Sequence, residues 1–422
     1  MRHATLTIVA TWLAFLTIYT ARQPWVGLTG GNSAVTVNGH TLEWEWIDVG
    51  QSALFIEGNP WFQVRGGGGP FNGMLTDQNA ARMTPALVVS ILGVFFRSAW
   101  LACLFATWMA WLLTWYAMDR LTTCVVSGNA GSPLSDGLKS ARAVSAILVC
   151  TSPGFLAFVG NIDIHQFGYL SAPIGLLAIR ETLVRIGIIK TQNKILRHFT
   201  PRFSVLISLT LFLVDGVIQL AAPLLLSLIL MMGVNTSWKS YRSQLIALSY
   251  IFGGYASLLA IWAVIARAGS NGNLLAHNEA RTRFLSALSN PPLEWFQIAG
   301  QILLTCQTMF DVYSAPHVIL GISGLMFFWR KGGLLLLIYI LIILAAVNFT
   351  RLHPRTVYLT FPSIYIGIAS WAVMFNRLAN RWMPTTVNIA FAITVGCLPL
   401  MIKSLRFINN NLQTSLLWWP TT

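Results

Sequence analysis

RKGGLLLLIYILIILAAVNFTRLHPR, residues 330–355, is an apolar run between two basic flanks. Its central part, residues 333–349, has no charged side chain. As a helix, that part would be about 26 Å long at 1.5 Å per residue, close to the bilayer core of about 30 Å. The basic flanks stand where a membrane segment meets the lipid headgroups. This stretch therefore predicts a helix that crosses a membrane.

Comparable apolar runs cover most of the chain. They occupy residues 4–20, 85–118, 140–159, 166–187, 204–233, 243–266, 313–329, 333–349, 357–375 and 386–403. Residues 4–20 could also be a signal peptide and are expected to be a retained helix. The run 85–118 predicts one long helix bent near Arg97.

Two stretches of the middle allow alternatives. Residues 204–233 fit one long helix or two short ones that turn near Asp215 and Gly216, and residues 294–311 fit a spanning or a surface helix. Both interpretations give about eleven crossings. We predict an all-α polytopic membrane protein with about eleven transmembrane helices in a single integral-membrane domain, residues 1–422.

The composition excludes several protein classes. Of the 422 residues, 55% are hydrophobic and 9% charged, whereas a soluble domain has about 25% charged residues. The net charge of +14 does not predict a nucleic-acid partner, because the basic residues lie in short loops and not on a polar domain. The five cysteines lie in or near apolar runs and form no CxxC motif. We predict no cofactor and no metal.

The basic loops predict the orientation of the chain. The densest, Arg180–Arg202, should be cytoplasmic, together with Arg120–Lys139, Arg330-Lys331 and Arg377–Arg381. The N-terminus is then cytoplasmic, and the long loop 21–84 is outside, as are Asn161–His165 and Thr350–Arg355. The orientation inferred from the N-terminal half and the one inferred from the C-terminal half agree if residues 204–311 cross the membrane an odd number of times. Membrane lipids are the expected surroundings.

Charged residues of both signs gather on this outer face. Five of the thirteen acidic residues lie in loop 21–84, and Asp163 lies in the next outer turn; the five are Glu43, Glu45, Asp48, Glu57 and Asp77. The late outer loop adds Arg351, His353 and Arg355. An arginine fork matches phosphate oxygens, and a carboxylate can accept a proton from a hydroxyl nucleophile. Chemistry on an anionic lipid headgroup is one interpretation; interfacial anchors and solvated loop charges are the other.

Three groups of residues resemble motifs of the GT-C superfamily of membrane glycosyltransferases. The first is EWEWID at residues 43–48, ALFIEGNPW at 53–61 and RMTPAL at 82–87; the second is TSPG at 151–154 with NID at 161–163; the third is HPR at 353–355, before a helix containing Pro362. Their order and common face are similar to those of family-87-like, polyprenyl-phosphate-mannose-dependent mannosyltransferases. The chain departs from the late motif in having Thr356 and Val357 between Arg355 and Tyr358.

The resemblance implies a glycosyltransferase of glycolipid biosynthesis. Its donor would be a polyprenyl-phosphate sugar whose phosphate is held by Arg355, Arg351 or His353. Its acceptor would be a hydroxyl of a glycolipid or glycan, which loses its proton to Asp48 and inverts the anomeric carbon. Glu43, whose spacing to the glycine fits the family better, and Glu45 are rival bases. The resemblance implies a bacterial inner or plasma membrane, with the site facing the periplasm.

Other residues have a site role and a structural alternative. Asp163 and His165 would line the site, but Asp163 is also a favoured helix cap and His165 a common packing residue. Arg82 precedes the Thr84-Pro85 motif. His277 lies in the polar segment 268–290, which is external if residues 204–233 form two short helices, and which is otherwise a linker. Asp215 would be a functional intramembrane acid, or an interfacial one if it lies at a turn.

The resemblance also predicts the organisation of the chain. Residues 1–233 would form a GT-C-like core in which the outer loop 21–84 carries surface helices, and residues 234–422 would form C-terminal helices. Three other functions remain open at this point: a lipid-linked oligosaccharide polymerase or ligase, a secondary transporter, and a non-catalytic membrane subunit. A transporter would place ionisable groups near the midplane of the membrane, and few lie there.

The orientation can be tested by cysteine labelling. Single cysteines at Gly67 and at Gln192, in a variant without native cysteines, should react with an impermeant maleimide from opposite sides of the membrane, because the two loops are predicted on opposite faces. Equal labelling of both positions from outside would contradict the predicted topology.

Overall fold

The computed structural model describes residues 34–37, 40–43, 83–96, 99–127, 136–151, 165–189, 199–218, 220–234, 241–270, 289, 291–348 and 354–379. These parts of the chain are almost entirely helical. In chain order the helices are α1 (Met83–Phe96), α2 (Ala99–Ser127), α3 (Asp136–Thr151), α4 (His165–Arg185), α5 (Pro201–Ile218), α6 (Ala221–Val234), α7 (Tyr241–Ser270), α8 (Pro291–Tyr313), α9 (Ala315–Met326), α10 (Gly333–Asn348), α11 (Pro354–Val357) and α12 (Phe361–Ala379). Single 3₁₀ turns, Trp329–Lys331 and Tyr358–Thr360, precede α10 and α12.

The helices are those of an integral membrane protein. Within the described parts, three segments are long and apolar enough to cross a membrane: Phe167–Arg185, Tyr241–Val264 and Tyr358–Phe375. Three shorter apolar helices, α6, α9 and α10, accompany them. The predicted helical membrane architecture is confirmed, whereas the eleven crossings stay a prediction. The predicted helices at 4–20 and 386–403 lie outside the described residues.

The structure describes the run 85–118 in two helical segments, with residues 97–98 outside the described residues. Helix α1 ends at Phe96 and α2 begins at Ala99. The rings of Phe96 and Phe105 have their centroids 5.2 Å apart, whereas nine residues of a straight helix would separate them by about 13.5 Å. The chain therefore changes direction at the position where a bend was predicted.

The structure also decides between the two interpretations of residues 204–233. They form two helices, α5 and α6, which are separated at residues 219–220. Helix α5 packs against α4 and α7, while α6 packs against α4 and α10. Residues 294–311 lie within one helix, α8, which is not among the three segments apolar enough to cross.

The described part of the first loop contains a β-hairpin that was not predicted. Strands β1 (Ala34–Val37) and β2 (His40–Glu43) pair antiparallel, with Val37 opposite His40 and Ala34 opposite Glu43. The sequence between the strands is Asn38-Gly39, which is the dipeptide most favoured in two-residue hairpin turns. That dipeptide, between Thr36-Val37 and Thr41-Leu42, is the signal by which the hairpin could have been predicted.

Three of the predicted cytoplasmic segments meet at one end of the bundle, which we call the basic end. It comprises the ends of α2 and α4, the starts of α3 and α5, and the turn Trp329–Lys331. The buried guanidinium of Arg180 donates to the carbonyl oxygens of Cys124, at 2.8 Å, and Lys331, at 3.3 Å. Arg142 forms a two-pronged ion pair with Asp119, at 2.6 and 2.7 Å. The helix ends that lead to three of the predicted cytoplasmic loops therefore lie together, while the cytoplasmic orientation stays a prediction.

Helices α9 and α12 run parallel in close contact. A Cβ atom on Gly324 would overlap the carbonyl of Gly367, and a Cβ on Gly367 would overlap the carbonyl of Gly321. Small residues allow such an approach of two backbones, which is a common way to pack helices in membranes. The indole nitrogen of Trp371 donates to the carbonyl of Leu320 across the same contact, at 3.0 Å.

This contact gives a stability prediction. Gly367→Ala should lower the free energy of unfolding by about 1–3 kcal/mol, because the new methyl group meets backbone that cannot rotate away. Gly253→Ala on α7 is the matched control, since a Cβ there meets nothing within 4 Å. Thermal unfolding of both variants in detergent measures the difference. Equal melting temperatures would show that α9 and α12 are not this close.

Candidate functional site

Five buried tyrosines meet inside the bundle, away from the basic end. We call them the tyrosine cluster: Tyr169, Tyr313, Tyr339, Tyr358 and Tyr365, each at most 1% exposed. They come from α4, α8, α10, the turn Tyr358–Thr360 and α12. Five separate elements therefore meet here.

The cluster is held together by ring contacts. Tyr358 stacks on Tyr313 with ring centroids 5.7 Å apart, and Tyr169 meets the Tyr358 ring edge-on at 4.9 Å. The ring of Phe361 also stacks on the ring of Tyr358, with centroids 5.3 Å apart. Aromatic pairs of this kind contribute about 0.5–1.5 kcal/mol each beyond the burial of their area. The ring of Tyr358 is therefore the centre of the contact.

Hydrogen bonds fix the backbone of the turn Tyr358–Thr360. The hydroxyl of Tyr313 donates to the carbonyl of Tyr358 at 3.0 Å, and that of Tyr339 donates to the carbonyl of Leu359 at 3.4 Å. The Thr360 hydroxyl lies 2.8 Å from the carbonyl of Val357 and 3.3 Å from the Tyr313 hydroxyl. The three side chains involved, Tyr313, Tyr339 and Thr360, are buried. The turn is thus bonded to α8 and α10 as well as to itself.

This geometry brings two predicted site segments to one end of the bundle. His165 begins α4 one helical turn before Tyr169, and Arg355 lies in α11 three residues before Tyr358. The contact of Tyr169 with Tyr358 joins these two segments. Arg180, at the basic end, lies about 22 Å from His165 along the axis of α4. Residues 161–164 and 350–353 lie outside the described residues, so the common outer face of Asn161–His165 and Thr350–Arg355 stays a prediction.

Most other predicted site residues are not part of the described structure. Glu43 ends β2, and only its backbone is described. The remaining candidates lie outside the described residues: Glu45, Asp48, Arg82, Asp163, His277, Arg351 and His353. Their proposed roles stay predictions. Within the described parts, no group of three or more His, Cys, Asp or Glu side chains is placed to hold a metal ion.

Asp215 has a structural role at the helix break between α5 and α6. Its carboxylate accepts the backbone N–H of Ala221, at 3.1 Å, and the hydroxyl of Tyr255 on α7, at 2.7 Å. A carboxylate at a helix N-terminus satisfies a free N–H and complements the helix dipole. Of the two roles considered for Asp215, its place at a turn is the one that the structure supports.

Sequence analysis did not single out the tyrosine cluster or its neighbour His317. His317 is buried, and its Nδ1 lies 2.6 Å from the Ser314 hydroxyl, at the junction of α8 and α9. Ser314 has a φ of 68°, an unusual conformation for a residue with a side chain. The available signal was the presence of tyrosines near the ends of apolar runs, because a buried tyrosine hydroxyl needs a hydrogen-bond partner.

Comparison with solved structures finds similar folds. The crystal structure of the Archaeoglobus fulgidus oligosaccharyltransferase tethered with an acceptor peptide matches with a TM-score of 0.51 and 14% identity, over 98% of this chain and 56% of that one. The same protein in complex with Zn and sulfate matches with a TM-score of 0.47 and 14% identity, over 93% and 52%. ArnT from Cupriavidus metallidurans matches with a TM-score of 0.49 and 13% identity, over 98% and 74%.

The comparisons show the fold. The match to the tethered oligosaccharyltransferase shows that the two chains have a similar fold. The chain spans little more than half of the length of that oligosaccharyltransferase. No protein-family model matches this chain. No curated protein matches its sequence. The fold is thus similar to that of this oligosaccharyltransferase, and membership of the GT-C superfamily stays a prediction.

Proposed function

We propose that this protein is a membrane glycosyltransferase that moves a sugar from a polyprenyl-phosphate donor to a hydroxyl of a glycolipid or glycan. The observation that carries the proposal is the convergence of the start of α4 with the turn that follows Arg355, in a fold similar to that of the oligosaccharyltransferase. The first segment follows Asp163, which is proposed to line the site, and the second follows Arg355, which is proposed to hold the phosphate. The site would face the periplasm of a bacterial inner membrane.

The proposed reaction is a single displacement. The acceptor oxygen attacks the anomeric carbon of the sugar as its proton passes to a carboxylate, with Asp48 as the preferred base and Glu43 or Glu45 as alternatives. The bond between the anomeric carbon and the phosphate oxygen breaks, and polyprenyl phosphate departs with the bonding electrons. The anomeric configuration is inverted, because attack and departure occur on opposite faces.

The cationic residues would hold the phosphate. Charge develops on the departing phosphate, and fixed donors in a partly dry site contribute several kcal/mol to such a transition state. Arg355, Arg351 and His353 are proposed for this role, while Asp163, His165 and Arg82 would line the site. His277, in the polar segment 268–290, would contact the acceptor from a loop.

The decisive experiment supplies donors to the purified protein in liposomes. Radiolabelled mannose on polyprenyl phosphate should be transferred to a lipid or glycan acceptor, and the label should leave the donor only when acceptor is present. Transfer of an oligosaccharide instead would favour a polymerase or ligase of lipid-linked oligosaccharides. Donor movement across the bilayer without cleavage would favour a transporter, and no activity with any donor would favour a non-catalytic subunit.

The proposed phosphate contact is tested at Arg355. Arg355→Ala should strongly raise the apparent KM for the donor, because the guanidinium fork is lost. Arg355→Lys should restore donor use only in part, since a point charge cannot form two parallel hydrogen bonds with a phosphate. Steady-state kinetics with varied donor measure both effects. Wild-type kinetics in both variants would assign the phosphate to other residues.

The proposed base is tested at the carboxylates. Asp48→Asn should lower kcat by about 10²- to 10⁴-fold with little change in donor binding, because a general base acts mainly in the transition state. Expression should be normal, since Asn caps helices about as well as Asp. Glu43→Gln and Glu45→Gln should be mild, and Asp163→Asn intermediate. A severe loss in Glu43→Gln alone would make Glu43 the base, and full activity in all four variants would remove the chemical basis of the proposal.

A further inference from the structure

We infer that Tyr313 is a positioning residue for the donor phosphate, acting through the backbone of the turn that follows Arg355. The inference rests on the proposed function and names a residue that neither the sequence motifs nor the comparisons assign to the site. It depends on three features: where the hydrogen bond of Tyr313 ends, how completely the contact is buried, and how few residues separate it from Arg355.

The hydroxyl of Tyr313 reaches the turn at its first residue. It donates to the carbonyl of Tyr358 at 3.0 Å, and the same carbonyl also accepts the backbone N–H of Phe361. Tyr313 is the last residue of α8, so the bond joins two elements that are 45 residues apart in the chain. A hydrogen bond between distant elements restricts how far the turn can move relative to α8.

The contact is dry and rigid. Tyr313, Tyr358 and Thr360 are all fully buried. The rings of Tyr313 and Tyr358 stack within 18° of parallel, and the Tyr313 hydroxyl lies 3.3 Å from that of Thr360. Water does not compete for these groups in such surroundings, and the hydrogen bond is correspondingly stronger than at a surface.

Arg355 belongs to the same short rigid segment. Helix α11 runs from Pro354 to Val357 and passes directly into the turn Tyr358–Thr360. The Thr360 hydroxyl donates back to the carbonyl of Val357 at 2.8 Å, which ties the turn to α11. The proline at 354 fixes one more backbone dihedral angle. A displacement of the Tyr358 carbonyl would therefore shift the backbone of Arg355.

An arginine fork needs such support, because its advantage over lysine depends on direction. Two parallel hydrogen bonds to a phosphate form only when the guanidinium plane is correctly placed. Tyr339 gives weaker support to the same turn, since its hydroxyl lies 3.4 Å from the carbonyl of Leu359. The distances thus rank Tyr313 above Tyr339.

The test uses the full-length protein in lipid nanodiscs. Tyr313→Phe removes the hydroxyl and keeps the ring stack, and the Tyr358 carbonyl retains its bond from Phe361. We expect the KM for the polyprenyl-phosphate sugar and the Kd for undecaprenyl phosphate to rise about three- to tenfold, from the loss of one hydrogen bond. The kcat should change less than twofold. Tyr339→Phe should have a smaller effect of the same kind.

Tyr250→Phe is the matched control. Tyr250 lies on α7 and is 54% exposed on its apolar outer surface. This variant should have wild-type KM, kcat and Kd. Thermal unfolding of each variant checks that a change in Kd does not come from a loss of folded protein.

A double-mutant cycle separates positioning from general stability. In the Arg355→Ala background, Tyr313→Phe should leave the Kd for undecaprenyl phosphate unchanged, because the group that Tyr313 positions is gone. If the two substitutions raised the Kd independently, so that their effects multiplied in the double variant, the inference would be overturned. An unchanged Kd in Tyr313→Phe alone would also overturn it, and both outcomes would leave the proposed function intact. A wild-type protein that neither binds undecaprenyl phosphate nor transfers sugar would overturn the proposed function, and the role of Tyr313 with it.

Discussion

A chain that crosses a bilayer must satisfy its backbone N–H and C=O groups without water, and this constraint explains the positions of the polar side chains inside the bundle. A continuous helix leaves unpaired groups only at its two ends. In this protein several helices end or break against other helices, so partners must come from side chains. Some of the polar contacts of the bundle serve those helix ends.

Each break is satisfied by a different chemistry. At the end of α2, where the last four carbonyls have no helical partner, Arg180 donates to Cys124, and Lys331 donates to Val126 and Ser127 at 3.3 and 3.5 Å. At the start of α6, Asp215 accepts a free N–H. In the tyrosine cluster, the neutral hydroxyls of Tyr313 and Tyr339 donate to carbonyls of the turn before α12. Charged partners therefore serve two of these breaks, while the described hydrogen bonds to the turn that follows Arg355 come from neutral hydroxyls.

The basic end and the tyrosine cluster consequently differ in the chemistry of their contacts. At the basic end, Arg142 and Arg185 are bonded to Asp119 and Glu181, so the carboxylates there neutralise part of the positive charge. In the tyrosine cluster, buried aromatic rings and hydroxyls shape a rigid turn next to His165 and Arg355. The basic end is suited to anchoring the bundle at a membrane surface. The tyrosine cluster is suited to holding a directional contact in place, and the proposed function uses it in that way.

The sequence by itself determined the membrane class and the helical architecture. Hydropathy and basic flanks are local properties, so the runs at 333–349 and 166–187 predicted α10 and α4 closely. The same local signals could not distinguish one helix from two at 85–118 and 204–233, because the chain stays apolar across a helix end that a side chain such as Asp215 satisfies. Only the tertiary structure brought Tyr313, Tyr339 and Tyr169 to Tyr358, since these residues come from four separate parts of the chain and no spacing connects them. The position of the turn beside Arg355 is set by those long-range contacts, and for that physical reason the support of the candidate site could not be predicted from the sequence.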